Sequence, residues 1–199
     1  VMISGGPDIF KYHYEKGVTE AFSEEEKVMV SYDHARDFIE VLLAKAALFP
    51  DLHGDNCNLP FLGICRGSQI FTIAAGHGLI ESIHNDVNGA KDHLQVKNGI
   101  PRNPKETVHT LRLKSNSHIR KIIGNEFIST NSFHHQGSDI NSNYNHIVVS
   151  GVNSEDDIPE VIELSKGALE DLKNNFSGTP FGIGVQSHPE FLLDVVPEW

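Results

Sequence analysis

Apolar and polar positions fall in blocks along the chain, and each block predicts an element. Leu59 to Ile64 is a short apolar run that reads as a buried strand. Gly67 to Ala75 follows, with Ile70, Ile73 and Ala74 at helical spacing and Gly76 and Gly78 punctuating its end. Upstream, Val1 to Ser4 is an apolar strand end running into a tight turn, Gly5-Gly6-Pro7-Asp8. Ile9 to Ser31, with its Glu24-Glu25-Glu26 run, is polar and predicts a surface excursion. A helix is expected from Asp33 to Phe49. Ala35, Phe38, Ile39, Leu42, Ala46 and Phe49 share its apolar face, and Arg36, Asp37, Glu40 and Lys45 lie off it. Pro50 and the polar stretch Asp51 to Asn58 close that helix. Strand, helix, strand, helix is the order of a parallel, doubly wound sheet.

The second half is patterned differently. Val108 to Leu113 alternates, and Glu126 to Ser129 and His146 to Ser150 are short strand candidates, so an antiparallel or edge portion is expected. Asn85 to Glu106, rich in Asn, Lys, Gly and Pro, predicts a long connection. Ser165 to Asn174 predicts a short helix with Ala168, Leu169 and Leu172 inward. Phe181 to Val185 is another buried strand, which delivers Gln186-Ser187-His188-Pro189-Glu190 at its end. The expected fold class is α/β: a doubly wound, mostly parallel sheet flanked by helices, with a small antiparallel portion. With no repeat or linker in view, residues 1–199 are expected to form a single domain. Val1-Met2-Ile3 starts as if already inside a strand and Trp199 closely follows the last motif, so truncation at both ends is expected.

Composition narrows the function. The formal net charge of −11, with no Lys/Arg cluster, argues against a nucleic-acid or membrane-surface partner. No stretch approaches the ~20 apolar residues of a membrane span, and no signal peptide is visible. The two cysteines, Cys57 and Cys65, form no disulfide framework and fit a reducing, cytoplasmic setting, with pairing between them left open. The 12 histidines raise a metal question. His134 and His135 are adjacent, so their side chains diverge on a regular strand, and His77, His84 and His93 show no ligand spacing. No metal and no cofactor is expected.

Cys65 sits between a predicted strand and a predicted helix, within Gly63-Ile64-Cys65-Arg66-Gly67-Ser68-Gln69. Such a turn presents a side chain above the sheet edge and aims the helix's N–H groups at it. That positive end lowers a thiol pKa and favours thiolate near neutral pH. A small cysteine buried for volume is the competing reading, and the flanking glycines, which permit close backbone approach, weigh against it. A thiolate also needs a base to take and return its proton, and the base needs an orienting partner. His188 and Glu190 offer that pair, on one side of a strand end. Both stretches fall at carboxyl ends of strands, where reacting groups gather in an open parallel sheet. A strand terminator beside a solvated glutamate is the competing reading of His188-Pro189-Glu190.

Together, GICRGSQ and GVQSHPE resemble the nucleophile and histidine–glutamate motifs of the class I glutamine amidotransferases. The chain is most similar to their peptidase C26 branch, which includes gamma-glutamyl hydrolases and the gamma-glutamyl-GABA hydrolase type. Ser4-Gly5-Gly6-Pro7-Asp8-Ile9 followed by Tyr14 resembles the branch's GGxD(I/V)xPxxY segment. Arg36-Asp37-Phe38-Ile39-Glu40 resembles the start of the helix before the nucleophile, and Asn131-Ser132-Phe133-His134-His135-Gln136 resembles the NSxHHQ loop. The resemblance implies a flavodoxin-like fold and a Cys-His-Glu triad. Cys65 would attack a gamma-glutamyl amide carbonyl, His188 would be base and then acid, and Glu190 its orienter. Backbone N–H groups of Gly6 and Arg66 would hold the oxyanion, Gln69 the glutamyl end, and His134 and His135 would line the pocket. The family's proline is Lys11 here, its methionine is Ser68 and its aromatic before HPE is Ser187. These departures bear on substrate preference, since none removes a catalytic group. The expected partner is a small gamma-glutamyl substrate, with a homodimer or a synthetase partner left open. Two alternatives stand beside the hydrolase: a glutaminase subunit passing ammonia to a synthetase, and a non-catalytic binding module on the same fold.

Overall fold

The computed structural model describes residues 1–14, 33–48, 59–94, 96–97, 100–140, 146–175 and 180–195. The Glu24–Glu26 run, Phe49, Pro50, the stretch 51–58 with Cys57, and Trp199 lie outside the described residues. In chain order the elements are β1 (Met2–Ile3), a 3-10 turn (Lys11–His13), α1 (His34–Leu48), β2 (Phe61–Ile64), α2 (Arg66–Ala74), β3 (Gly78–Ile80), α3 (Ile83–Asp86) and β4 (Val96–Lys97). Then come β5 (Ile100–Pro101), β6 (His109–Leu113), α4 (His118–Ile123), β7 (Phe127–Thr130), β8 (Gly137–Asp139), β9 (Ile147–Asn153), β10 (Pro159–Leu164), α5 (Lys166–Asn175), β11 (Gly182–Val185) and a second 3-10 segment (Pro189–Val195).

The main sheet has seven strands in the order β1-β2-β11-β10-β9-β6-β7. β1 and β11 flank β2 in parallel, with Met2 opposite Leu62 and Gly184 opposite Gly63. From β11 outward every pairing is antiparallel. The sheet is therefore mixed, which corrects the expectation of a mostly parallel one. For β9 and β10 the cause is connection length. The β9–β10 link is a tight turn, with Asp157 at φ 59°, and such links join antiparallel neighbours, whereas parallel neighbours need a long crossover. β10, Pro-Glu-Val-Ile-Glu-Leu, was missed by pattern reading. It lies at the centre of the sheet with its glutamates buried, so neither alternation nor an apolar run announces it. Glu163 takes hydrogen bonds from the N–H groups of His118 (2.9 Å) and Ile119 (2.7 Å), satisfying the start of α4.

The other elements follow the pattern closely. β2, α2, β6, β7, β9 and β11 form where apolar periodicity predicts them, and α5 turns Ala168 and Leu172 inward. The predicted long connection 85–106 contains the short β4–β5 pair. α2 packs on the sheet through Ile70, Phe71 and Ile73, and α1 adds Val41, Ala44, Ala47 and Leu48 to the same core. Phe61 and Phe71, both fully buried, meet with ring centroids 5.2 Å apart. Burying side chains of this size contributes about 2 kcal/mol each.

α1 is turned the other way from its expected orientation. Phe38, Ile39, Leu42 and Leu43 are exposed, and Asp37 is 1% exposed. The reason is electrostatic. Asp37 accepts from the Phe10 N–H (3.1 Å) and pairs with Arg66, itself buried, and Glu40 takes the other Arg66 nitrogen. A buried guanidinium without its carboxylates is costly, and this outweighs the gain from burying a few more apolar side chains. Asp37→Ala is accordingly expected to lower unfolding stability by about 3 kcal/mol in urea titration. Phe38→Ser should shift it by under about 0.5 kcal/mol. Equal losses for the two would show that the other face is inward.

Candidate active site

The elbow begins with backbone geometry. Cys65 has φ 50° and ψ −106°, a strained conformation for a residue with a Cβ. A turn this sharp brings the residues two before and two after it together. A Cβ on Gly63 would lie 2.3 Å from the Gly67 carbonyl oxygen, and one on Gly67 would lie 2.1 Å from that of Ile3. Glycine at both positions is what lets α2 leave β2 at this angle, the arrangement of a nucleophile elbow. Hydrogen bonds from Cys65 N–H to Val185 O (2.7 Å) and from Ser68 N–H to Cys65 O (2.9 Å) hold the turn between β11 and α2.

β1, β2 and β11 are parallel, so the segments after each of them meet at one edge of the sheet. Those segments carry Gly5, Cys65 and His188. A Cβ on Gly5 would lie 2.6 Å from His188 Cε1, 3.4 Å from His188 Nε2 and 3.6 Å from Cys65 Cβ, so the two side chains converge over Gly5. His188 Nδ1 is 2.7 Å from Glu190 Oε1, which directs the Nδ1 proton to the carboxylate and leaves Nε2 as the basic nitrogen. The imidazole stacks on Phe191, with centroids 5.1 Å apart and planes at 15°, and Phe133 stands edge-on to it at 6.1 Å.

Sequence reading placed Asn131 in a recognisable loop but gave it no role. Its side chain is fully buried and clamps the backbone of His188, accepting from the N–H (2.9 Å) and donating to the carbonyl (2.8 Å). The neighbouring Phe191 was likewise passed over. A contact across the fold leaves no local signal.

Burial pushes the Cys65 thiol up to about 12, against a hydrogen bond from the Arg66 N–H; the charges of Glu190, Glu160 and Asp8 add to the rise. The expectation of a ready thiolate is thereby corrected. A helix N-terminus is worth about 1 kcal/mol, under one pKa unit, whereas full burial shifts a pKa by about 3–5 units. The resting group is a thiol, and Gln186 Nε2 lies 3.8 Å from its sulfur.

The residues expected to bind substrate are placed unevenly. Gly6 sits on the loop after β1, where a Cβ would lie 3.1 Å from Arg66 Cδ. Arg66 turns its side chain inward and its N–H to the Cys65 sulfur. Gln69 is buried, with Nε2 3.4 Å from the Gln136 carbonyl. His135 is partly exposed and meets both oxygens of Asp8 at 2.9 Å, and this hydrogen-bonded pairing raises its pKa. His134 departs most from expectation. Its ring is turned into the interior, where Nδ1 lies 2.8 Å from Gln136 O and Nε2 3.4 Å from Glu160 Oε1.

His134, His93 and Glu160 offer ligand atoms that all lie within 4.8 Å of one another. Burial alone would push the Glu160 carboxyl up, yet His134, His109 and His93 hold it well below the usual carboxylate range. These side chains come from different segments, which is why linear spacing showed no ligand pattern.

Comparison with known proteins agrees with the motifs. The peptidase C26 family model matches residues 1–190. A provisionally named glutamine amidotransferase-like protein of Rickettsia prowazekii is 28% identical over 228 aligned positions, covering 98% of this chain and 71% of its own length. A provisionally named glutamine amidotransferase of Mycobacterium tuberculosis is 33% identical over 159 positions, covering 80% of this chain and 42% of its own. Among solved structures, a glutamine amidotransferase from Thermotoga maritima aligns with 86% of this chain and 53% of its own, at 16% identity and a TM-score of 0.48. The chain thus spans about half the length of several proteins it resembles. Among the described residues, no helix is long and apolar enough to cross a membrane.

The buried thiol sets an expected reactivity. With a pKa raised to about 12, alkylation of Cys65 by iodoacetamide, read by peptide mass spectrometry, should be slow at pH 7 and keep rising beyond pH 10. A rate plateau reached below pH 7 would mean that a thiolate–imidazolium pair already exists at rest.

Proposed function

The chain belongs to the peptidase C26 family, in the class I glutamine amidotransferase-like superfamily, and from that premise we propose that it hydrolyses gamma-glutamyl amide bonds through Cys65, His188 and Glu190. The observation that carries the reading is the convergence of the strained Cys65 elbow and the Glu190-oriented His188 imidazole over Gly5.

The gamma-carbonyl of the substrate approaches Cys65, and His188 Nε2 takes the thiol proton as the C–S bond forms. Drawing the proton off only at that moment suits a thiol whose resting pKa is high. The oxyanion is met by the Arg66 N–H, already turned to the sulfur, and by the Gly6 backbone; fixed donors need little reorganisation. His188 then protonates the leaving amine, and the C–N bond breaks to leave a glutamyl thioester. Water, deprotonated by His188, attacks that thioester, releases glutamate and returns the proton to Cys65. Glu190 stabilises the imidazolium through Nδ1 in both halves. Asn131, Phe133 and Phe191 keep the ring in place. The half-exposed Asp8–His135 pair is the charged group we assign to the glutamyl end.

Purified protein incubated with gamma-glutamyl amides, with free glutamate as the readout, tests this reading. Wild type is expected to release glutamate without a second protein. Cys65→Ala should lower turnover by about 10⁴-fold or more, and Glu190→Gln by about 10²–10⁴-fold. Release from glutamine alone, and only with an added synthetase, would overturn hydrolysis in favour of ammonia supply.

A further inference from the structure

His93, His109, His134 and Glu160 form a polar cluster inside the protein, at 3%, 7%, 4% and 2% exposure. His93 and His134 lie in the segments before β4 and after β7, His109 opens β6, and Glu160 lies on β10. The three imidazoles face the same carboxylate oxygen: His93 Nδ1 lies 3.1 Å from Glu160 Oε1, His134 Nε2 3.4 Å and His109 Nδ1 3.7 Å. His93 Nδ1 and His134 Nε2 are 3.2 Å apart. The ring planes of His93 and His109 cross at 81°.

The outward nitrogens settle the protonation. His93 Nε2 lies 2.9 Å from Asp156 Oδ2, His109 Nε2 3.1 Å from the Asp92 carbonyl, and His134 Nδ1 2.8 Å from the Gln136 carbonyl. Each of these partners only accepts, so each outward nitrogen carries the proton. In neutral rings the three inward nitrogens are then lone pairs, all directed at a carboxylate. One extra proton on His93 Nδ1 would face Glu160 Oε1 at 3.1 Å and His134 Nε2 at 3.2 Å, and would leave the inward nitrogen of His109 unserved. Among the described residues, neither Glu160 oxygen accepts a hydrogen bond of good geometry, and His109 Nδ1 has no hydrogen-bond partner. Buried polar atoms left this way are costly.

A single divalent cation would satisfy all four groups at once. Tetrahedral zinc, with bonds of about 2.0–2.1 Å, sets neighbouring ligand atoms about 3.3 Å apart. The His93–His134, His93–Glu160 and His134–Glu160 separations of 3.2, 3.1 and 3.4 Å fall at that spacing. His109 Nδ1, 3.7 Å from Glu160 Oε1 and outside that close trio, would move toward the ion to take the fourth position. The outward bonds to Asp156, Asp92 O and Gln136 O are the outer-shell contacts that fix metal-bound imidazoles. We propose that His93 Nδ1, His109 Nδ1, His134 Nε2 and Glu160 bind a structural zinc ion. Imidazole and carboxylate donors in a closed four-ligand shell select zinc over magnesium or calcium, and leave no open position for chemistry. A cleft of about 370 Å³ lined by Lys91, Asp92, His93, Leu94 and His134 gives the ion a way in.

The ion would join segments far apart in the chain. It would also brace the loop that clamps His188, because Ser132 Oγ (2.6 Å) and the His134 N–H (3.0 Å) both donate to the His93 carbonyl. The proposal stands on this cluster alone and does not depend on the reaction at Cys65.

Untagged full-length protein, loaded with zinc and dialysed, is expected to hold one equivalent of zinc by elemental analysis. X-ray absorption at the zinc edge should show a first shell of nitrogen and oxygen only. Replacement with cobalt should give the intense visible bands of a tetrahedral ion, and chelation should lower the thermal midpoint. Asp156→Asn should weaken zinc binding by about 10–100-fold, Glu160→Gln should abolish the stoichiometric equivalent, and Cys65→Ser should retain it. Should Glu160→Gln fail to fold, the absorption spectrum of wild type still decides. Sulfur in the first shell, zinc retained by Glu160→Gln, or wild type that holds less than a tenth of an equivalent would each overturn the site.

Discussion

The close approach of three pieces of backbone at the elbow is the constraint on which the rest depends. Gly63, Gly67 and Ile3 meet at distances that leave no room for a Cβ on either glycine. That contact holds Cys65 at φ 50° and lays α2 across β1 and β2. A strained residue costs about 1–3 kcal/mol and persists only where its surroundings over-determine it. Here the surroundings are the Phe61–Phe71 core under α2 and the hydrogen bond from Cys65 N–H to Val185 O. The same bond ties the elbow to β11, so the strand that delivers His188 is placed by the element that strains Cys65.

A second layer of control is electrostatic. Arg66 is directly next to Cys65, and its guanidinium is buried against Asp37 and Glu40. This network anchors the start of α2 to α1 while freeing the Arg66 N–H for the sulfur. On the far side of the sheet centre, Glu160 gathers three imidazoles. Its strand neighbour beyond the β10–β11 pairing leads to His188, since Gln186 N–H donates to Glu160 O at 2.8 Å. Buried charge thus lies on both sides of the elbow, Arg66 against Asp37 and Glu40 and Glu160 against three imidazoles, and the thiol between them stays neutral at rest. In the proposed reaction, ionisation waits for the substrate.

Much of the site could be read directly. GxCxG between an apolar run and a helical run leaves few alternatives to a sharp strand-to-helix turn, and an HPE stretch closing a buried strand puts His188 and Glu190 within reach of each other. α5 and the alternating strand β6 were equally plain. β10 was not, because Glu160 and Glu163 break its apolar run and their partners, His93 and the start of α4, lie far away in the chain. Asn131 was visible only as part of a motif, with its grip on His188 hidden for the same reason.

By itself, the sequence determined what depends on near neighbours: which stretches are strands or helices, where the chain turns sharply, and that a cysteine and a histidine–glutamate pair close their respective strands. Tertiary structure decided the rest. α1 presents Asp37 rather than Phe38 to the core because a buried arginine needed a carboxylate. Cys65 holds its proton because the fold removes water from the thiol. His93, His109 and His134 became one cluster because the strand carrying Glu160 lies in the middle of the sheet. Propensity and periodicity act within about a turn or a strand of a residue, whereas burial, charge pairing and ligand geometry are set by groups that only the folded chain brings together.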